Sequence, residues 1–264
     1  ERQKALGVVP PNTVLSPRDA DVADWESLRP NEKRVFARMM EVFAGFVSHT
    51  DHHLGRLLDF LVEIGELENT FLMLISDGRA SAAGGAHGSL NENKFANYVP
   101  ESLDDTLAVL EELGGPKHFN HYPRGWAWAG NTPFRRWKRE TYRGGVSNPF
   151  IVHWPRGIRS HGEVRAQFTH AIDMVPTVLE SLGIQAPGLI RGVAQSPIEG
   201  TSFAYSFTDA NAECVHRTQY FEMLGHRALY HDNWRAVCPW PGPSWKKAGR
   251  AYESHLSKDD VSIG

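Results

Sequence analysis

The sequence predicts an α/β domain with a small α+β region at its carboxy-terminal end. Two short apolar runs of strand length occupy residues 71–75 and 150–154, and stretches with helical periodicity surround them. Beyond residue 216, short apolar and polar stretches alternate, which is typical of a small antiparallel sheet. Strands that alternate with helices along a chain of 264 residues indicate a three-layer domain with helices on both faces of a sheet.

The longest predicted helix covers residues 31–65, where apolar side chains recur about every 3.6 positions. Asn31 is expected to cap its beginning and Gly65 to end it. The recurring apolar residues predict that one face of this helix is buried along its length. Further helical patterns cover residues 101–113 and 171–182.

The two apolar runs predict strands that are buried on both faces. The first run is followed by Ser76, Asp77 and a glycine-rich loop. An aspartate that a buried strand delivers into such a loop is the usual layout of an α/β active-site edge. Between the two runs, residues 118–137 are rich in aromatic side chains and are expected to be irregular.

Composition and charge exclude several functional classes. A formal charge of -3, from 28 basic and 31 acidic residues, gives no electrostatic case for a nucleic-acid partner or an anionic membrane. No apolar run approaches the ~20 residues of a membrane-spanning helix. The chain begins without Met and without a signal-peptide pattern, so upstream targeting information is expected to be missing. The compartment is therefore left open, cytoplasmic or periplasmic in a bacterium.

Two residues are candidates for chemistry from their position. Asp77 ends the first strand, although an isolated aspartate there is more often a turn or capping residue. Lys138 lies in a charged stretch, which is usually solvated surface, but Gly144 and Gly145 and then the second strand follow it. This layout predicts a cation near a backbone turn at the sheet edge, where an anionic substrate can be held.

Six segments of the chain carry extended motifs, which are residues 70–77, 84–93, 126–134, 137–155, 171–177 and 196–200. These motifs resemble those of bacterial arylsulfatases, and they occur in the same order. The resemblance covers most of the chain, roughly residues 1 to 238, and identifies it as the carboxy-terminal part of such an enzyme. It implies the alkaline-phosphatase-like fold, of which this chain holds part of the three-layer mixed sheet. Residues 1–210 then belong to the catalytic domain and residues 211–264 form a small antiparallel-sheet subdomain.

The resemblance also implies a site. Sulfatases hold a divalent cation, usually Ca²⁺, with three aspartates and an asparagine, and use a formylglycine made within a Cys/Ser-x-Pro-x-Arg motif. Asp77 matches a metal-binding aspartate, and Lys138 matches the lysine that contacts the sulfate group. A hard cation prefers such oxygen ligands, and an ammonium group stabilises the charge that shifts toward the bridging oxygen.

The sequence departs from the family pattern in two ways. Gly78 stands where the metal-binding asparagine is expected, and Arg79 adds a positive charge beside the cation, so both weaken metal binding. Neither Cys214 nor Cys238 begins a Cys-x-Pro-x-Arg motif, and no serine does, so the formylglycine is expected in the part upstream of this chain. Asn91 or Asn93 could replace the missing amide ligand.

The predicted function is hydrolysis of small-molecule aryl sulfates to a phenol and inorganic sulfate, with no nucleic-acid or membrane partner. The 264 residues alone are expected to be inactive. Two alternatives stay open, a phosphodiesterase or phosphonate-ester hydrolase of the same superfamily and a degenerate module without catalysis. His87 is a candidate pocket residue, the aromatic residues around Trp128 are a candidate wall for an aryl group, and His52 and His53 are expected at the helix surface or in an interface.

Overall fold

The computed structural model describes residues 1–76 and 80–239. Within these ranges the helices are α1 (Arg2–Ala5), α2 (Pro30–Glu63), α3 (Glu92–Ala96), α4 (Leu103–Ala108), α5 (Arg124–Gly130), α6 (Arg143–Val146) and α7 (Met174–Leu182). The strands are β1 (Leu72–Ile75), β2 (Phe150–His153), β3 (Leu189–Ile190), β4 (Val193–Ala194), β5 (Thr218–Met223), β6 (His226–His231) and β7 (Trp234–Cys238). The chain combines helices with small sheets, which does not conflict with the predicted α/β class, and the three-layer mixed sheet stays a prediction.

The described strands form three small antiparallel sheets. β1 pairs with β2, with Leu72 opposite His153 and Ile75 opposite Phe150. β3 pairs with β4, and β5, β6 and β7 form a three-stranded meander. The positions of the two predicted strands and of the predicted carboxy-terminal sheet are therefore confirmed. The division of the chain at residue 210 stays a prediction, and residues 240–264 of the predicted subdomain lie outside the described residues.

The first half of α2 holds the main core together. The helix begins at Pro30 rather than being capped by Asn31, because proline fits the first helical position, where no intrahelical N–H bond is lost. Glu32 accepts a hydrogen bond from the backbone N–H of Arg29 at 2.8 Å and closes this end. The apolar side chains that follow on the same side pack with the aromatic segment and the loop after β1. These are Val35, Phe36 and Met39 on the helix and Ala82, Leu90, Leu110, Leu113, Tyr122, Ala127 and Trp137 around it.

Burial of the predicted faces is incomplete, so the sequence-based expectation of full burial is wrong. Leu74 of β1 is 38% exposed and Ile151 of β2 is 58% exposed. The apolar stripe of α2 also emerges into solvent after Val42, where Phe46 is 66% exposed. The physical reason is that the described residues supply too few other elements to pack on both faces of the β1–β2 sheet and along the whole apolar face of α2.

This exposed face predicts self-association of the 264-residue chain. Replacing Phe46 by lysine is expected to reduce oligomer formation in sedimentation velocity while changing the free energy of unfolding by no more than about 0.5 kcal/mol, because the side chain is exposed. Phe36→Lys is the matched control on the same helix. Phe36 is 6% exposed, so a lysine there should unfold the chain. An unchanged oligomer distribution in Phe46→Lys would contradict the assignment of this face.

Two further segments differ from their predictions. The aromatic segment 118–137 is not irregular throughout, because α5 forms within it behind Pro123. The helix predicted over residues 101–113 is split into α4 and a 3₁₀ turn at Leu110–Glu112. α7 follows a 3₁₀ turn and ends at Gly183, whose φ of 64° closes the helix as predicted. Within the described ranges, no helix is both long and apolar enough to cross a membrane.

Candidate active site

The backbone places Lys138 beside the segment that follows β1. Asp77, Gly78 and Arg79 lie outside the described residues, but the residues on either side of them are fixed. Ser76 donates its N–H to the carbonyl of Pro149 at 3.3 Å, and the N–H of Lys138 donates to the carbonyl of Ala80 at 3.1 Å. Lys138 is therefore hydrogen-bonded to Ala80, which comes three residues after Asp77 in the sequence.

The Lys138 side chain itself is exposed. Among residues 1–76 and 80–239, no carboxylate lies within ion-pair distance of its ammonium group. The preceding residue, Trp137, is only 3% exposed, and the guanidinium groups of Arg124 and Arg136 each lie 5.7 Å from its ring centroid. A buried tryptophan thus anchors the loop at the residue that precedes the accessible ammonium group.

Main-chain contacts hold the rest of this loop. Buried Asn131 donates from Nδ2 to the carbonyl of Arg136 at 2.9 Å, and the N–H of Gly144 donates to the carbonyl of Arg135 at 2.9 Å. A Cβ atom on Gly145 would lie 2.6 Å from the carbonyl oxygen of Trp137 and closer still to that of Glu140. Gly144 and Gly145 were expected to serve a tight turn; they also let two backbone segments pack directly against each other.

This packing predicts that Gly145→Ala displaces the Lys138 loop. We expect a loss of about 1–3 kcal/mol in the free energy of unfolding, because the added methyl group meets rigid backbone rather than a movable side chain. Urea titration measures the effect. Gly188→Ala is the control, since a Cβ there meets no atom within 4 Å. Equal stability of the two variants would show that the close approach is unimportant.

The glycine-rich loop after β1 packs on the aromatic segment. Ser89 and His121 exchange two backbone hydrogen bonds of 2.9 Å, and the N–H of Ser81 donates to the hydroxyl of Tyr122 at 3.3 Å. Burial raises the pKa of Tyr122 above its usual range, so this phenol is a neutral structural partner. These contacts fix the loop whose first described residue, Ala80, is hydrogen-bonded to Lys138.

Other residues proposed for the pocket have local roles in the structure. The exposed His87 ring lies 6.3 Å from the ring of Phe36, over the first turns of α2. Asn91 caps α3, because its Oδ1 accepts the backbone N–H of Asn93 at 3.0 Å. No contact of Asn91 or Asn93 indicates a metal ligand, and within the described residues no group of three or more His, Cys, Asp or Glu side chains is placed to hold an ion.

The surroundings of Lys138 are rich in cations. The guanidinium of Arg135 lies 5.0 Å from the ring centroid of Tyr142, and that of Arg143 lies 4.4 Å from the ring centroid of Phe134. Arg235 of β7 joins them and donates to the carbonyl of Thr141 at 2.6 Å. Burial, with a smaller contribution from nearby Arg143, lowers the pKa of Arg235 to about 10, so it stays charged at neutral pH. These guanidinium groups contribute positive charge to this part of the chain, which the carboxylates of Asp19 and Glu140 partly offset.

Only part of the proposed aromatic wall is accessible. Trp126 donates from its indole N–H to the carbonyl of Phe36 at 2.8 Å, and Trp137 is buried. Trp128, by contrast, is half-buried and lines an open cleft of about 460 Å³. The cleft's other walls are formed by residues 17–21, Arg135 and Arg136. Trp128 is thus the one tryptophan of the described cluster that can meet an aryl group in this cleft.

A buried carboxylate that sequence reasoning missed joins the main part of the chain to the carboxy-terminal sheet. Asp173 is 1% exposed, and it accepts the backbone N–H groups of His170 and Thr201, each at 2.8 Å. Its Oδ2 also lies 2.7 Å from Nδ1 of His216, just before β5. These contacts join segments 28 and 43 residues apart, so no local pattern could have revealed them.

Comparisons with known proteins place the chain in one family. A model of the sulfatase family matches residues 12–184. The chain is 32% identical over 244 residues to an uncharacterized sulfatase of Schizosaccharomyces pombe, covering 90% of this chain and 42% of the relative. It is 28% identical over 198 residues to an arylsulfatase of Klebsiella aerogenes, covering 75% and 40%. A steryl-sulfatase of Mus musculus is 32% identical over 161 residues, covering 56% and 20%. The chain spans about two fifths of the length of the first two relatives.

Proposed function

Because this chain belongs to the sulfatase family, whose model matches residues 12–184, we propose that the protein containing it hydrolyses sulfate monoesters, and aryl sulfates in particular. The products are a phenol or alcohol and inorganic sulfate. The family implies an α/β fold of the alkaline-phosphatase type. We propose that β1 and β2 are part of its large mixed sheet, whose other strands cover the faces that this chain leaves exposed.

One observation carries the proposal. The Lys138 loop is hydrogen-bonded to Ala80, three residues after Asp77, and it presents an exposed ammonium group from a well-anchored turn. An ammonium group in this position can neutralise a sulfate oxygen and stabilise the charge that moves toward the bridging oxygen as the S–O bond breaks. Arg135, Arg143 and Arg235 add a field that favours an anionic ester.

Asp77 is proposed as one ligand of a divalent cation, for which Ca²⁺ is the first candidate. Such an ion takes six to eight oxygen ligands, whereas Asp77, Gly78 and Arg79 together supply one carboxylate. Within residues 1–76 and 80–239 no group of three or more His, Cys, Asp or Glu side chains is placed to hold an ion, so we propose that the other ligands, like the formylglycine, are supplied by a part of the enzyme outside these 264 residues. When bound, the cation would act as a Lewis acid on a sulfate oxygen.

Trp128 is proposed to contact the aryl group. It is half-buried and lines the cleft that Arg135 and Arg136 also line, where its ring can stack on a flat leaving group. The mouse relative is named steryl-sulfatase, and its name supports a sulfate ester as the substrate class. The other superfamily alternative, phosphodiester or phosphonate hydrolysis, has no feature of the described chain in its favour.

The catalytic proposal is tested by calcium-dependent thermal unfolding of a complete enzyme that carries this chain. Calcium at about 100 times its Kd should stabilise the enzyme by roughly 2.7 kcal/mol, and Asp77→Ala should abolish the shift. Asp209→Ala is the control, because Asp209 is exposed and contacts only its own turn. Absence of any shift at millimolar calcium would instead support a degenerate module, the alternative that Gly78 and Arg79 favour.

A further inference from the structure

The exposed second half of α2 brings two imidazole rings together. His49 and His53 are four residues apart on one helix and therefore lie on the same face. Their Nε2 atoms are 3.0 Å apart and their ring centroids 4.3 Å apart. Both side chains are exposed to solvent. The sequence-based prediction of surface histidines named His52 and His53 but not His49, although the spacing is visible in the sequence.

We propose that His49 and His53 form a two-imidazole chelating site for a divalent transition metal of the copper or nickel type. Metal–nitrogen bonds to imidazole are about 2.0–2.1 Å long, so two nitrogens that meet a metal at a right angle are roughly 2.9 Å apart, and at a tetrahedral angle roughly 3.4 Å. The observed 3.0 Å fits adjacent positions of a square-planar or tetragonal ion. Cu²⁺ is the ion of choice because it binds such ligands most tightly in its series.

The site is small, and water would complete the coordination. Within the described residues no third His, Cys, Asp or Glu joins the pair, which argues against a closed tetrahedral zinc site. His52 is adjacent to His53 in sequence, but consecutive helical residues point about 100° apart, so its ring lies to one side, 5.3 Å from that of His53. The inference is independent of the proposed sulfatase chemistry, since Lys138 and Asp77 take no part in it.

Arg56 determines how the metal must bind. Its Nη1 lies 3.1 Å from Nδ1 of His53. A guanidinium can only donate, so Nδ1 of His53 accepts and the ring proton is on Nε2, directed at His49. Metal binding at Nε2 transfers this proton to Nδ1, by way of water, and turns Arg56 aside. Arg56 is exposed, so it can move, but its charge and its hydrogen bond oppose the metal. Removing it should tighten binding.

The test is a competition titration of the 264-residue chain with CuCl₂ against a chromophoric chelator. We expect His49→Gln and His53→Gln each to weaken Cu²⁺ binding by at least about tenfold, because either change removes the chelate effect. His52→Gln should match the unmodified chain, and Arg56→Gln should bind several-fold more tightly. Continuous-wave EPR of the bound Cu²⁺ should show hyperfine coupling to two imidazole nitrogens.

Circular dichroism establishes that each variant keeps its helix content. A Cu²⁺-induced rise in Tm that disappears in His53→Gln supports the site by a second route. The proposal is overturned if His49→Gln and His53→Gln bind copper as tightly as the unmodified chain, or if His52→Gln loses as much affinity as they do. Weaker binding by Arg56→Gln also counts against it, since it would mean that Nε2 of His53 is not the ligand atom.

Discussion

Lys138→Ala in a complete enzyme that carries this chain is expected to lower kcat/KM for an aryl sulfate by about 10²–10³. The ammonium group is exposed on an anchored loop, so its loss removes charge stabilisation from the reacting sulfate without disturbing the core. Steady-state hydrolysis of a chromogenic aryl sulfate measures the effect, and thermal unfolding should give an unchanged Tm.

Lys117→Ala is the matched control for Lys138→Ala. Lys117 is also an exposed lysine, but it pairs with Glu112 at 2.9 Å on the surface, where such pairs contribute little. Its replacement should leave both kcat/KM and Tm unchanged. If Lys138→Ala retained more than about a third of the activity, or if both variants lost activity equally, Lys138 would not be the residue that contacts the sulfate group.

Asp173→Ala is expected to destabilise the fold strongly. It removes the acceptor for two part-buried backbone N–H groups and for the buried His216 ring, and losses of this kind around a carboxylate that is 1% exposed cost about 3–5 kcal/mol. For a chain of this size the corresponding fall in Tm is roughly 10 °C. Differential scanning calorimetry or urea titration measures it.

Two further variants distinguish a buried network from a general effect of losing an aspartate. Asp173→Asn keeps one oxygen acceptor and should be less destabilising than alanine. Asp209→Ala, at an exposed turn, should change the free energy of unfolding by no more than about 0.5 kcal/mol. If Asp173→Ala unfolded at the same urea concentration as Asp209→Ala, the carboxylate would not join α7 to the carboxy-terminal sheet.

Much of the secondary structure could be predicted because it depends on local patterns. The period of α2, the two apolar runs and the alternation after residue 216 all correspond to elements of the structure. The burial of those elements could not be predicted, because burial depends on what packs against them. Leu74 and Phe46 fit the pattern of core residues, yet they are exposed where the described chain supplies no covering layer.

Only those parts of the candidate site that lie within sequence motifs could be predicted. The resemblance assigned a role to Lys138, and the structure adds that its backbone is bonded to Ala80. The role of Asp77 stays a prediction, because that residue lies outside the described ranges. The packing of Gly145 against Glu140 and the pairing of Asp173 with His216 both depend on tertiary contacts, which single-sequence patterns do not encode.

The apolar stripe of α2 that ends in solvent at residues such as Phe46 and Leu57 has a practical use. On the proposal that the rest of the enzyme covers this stripe, two separately expressed pieces would assemble by burying it between them, in competition with self-association of either piece. Fusing each piece to one member of an interacting pair would then turn the release of a coloured phenol into a signal for that interaction. Polar substitutions along the stripe would weaken spontaneous assembly, so that the signal would depend more strongly on the fused partners.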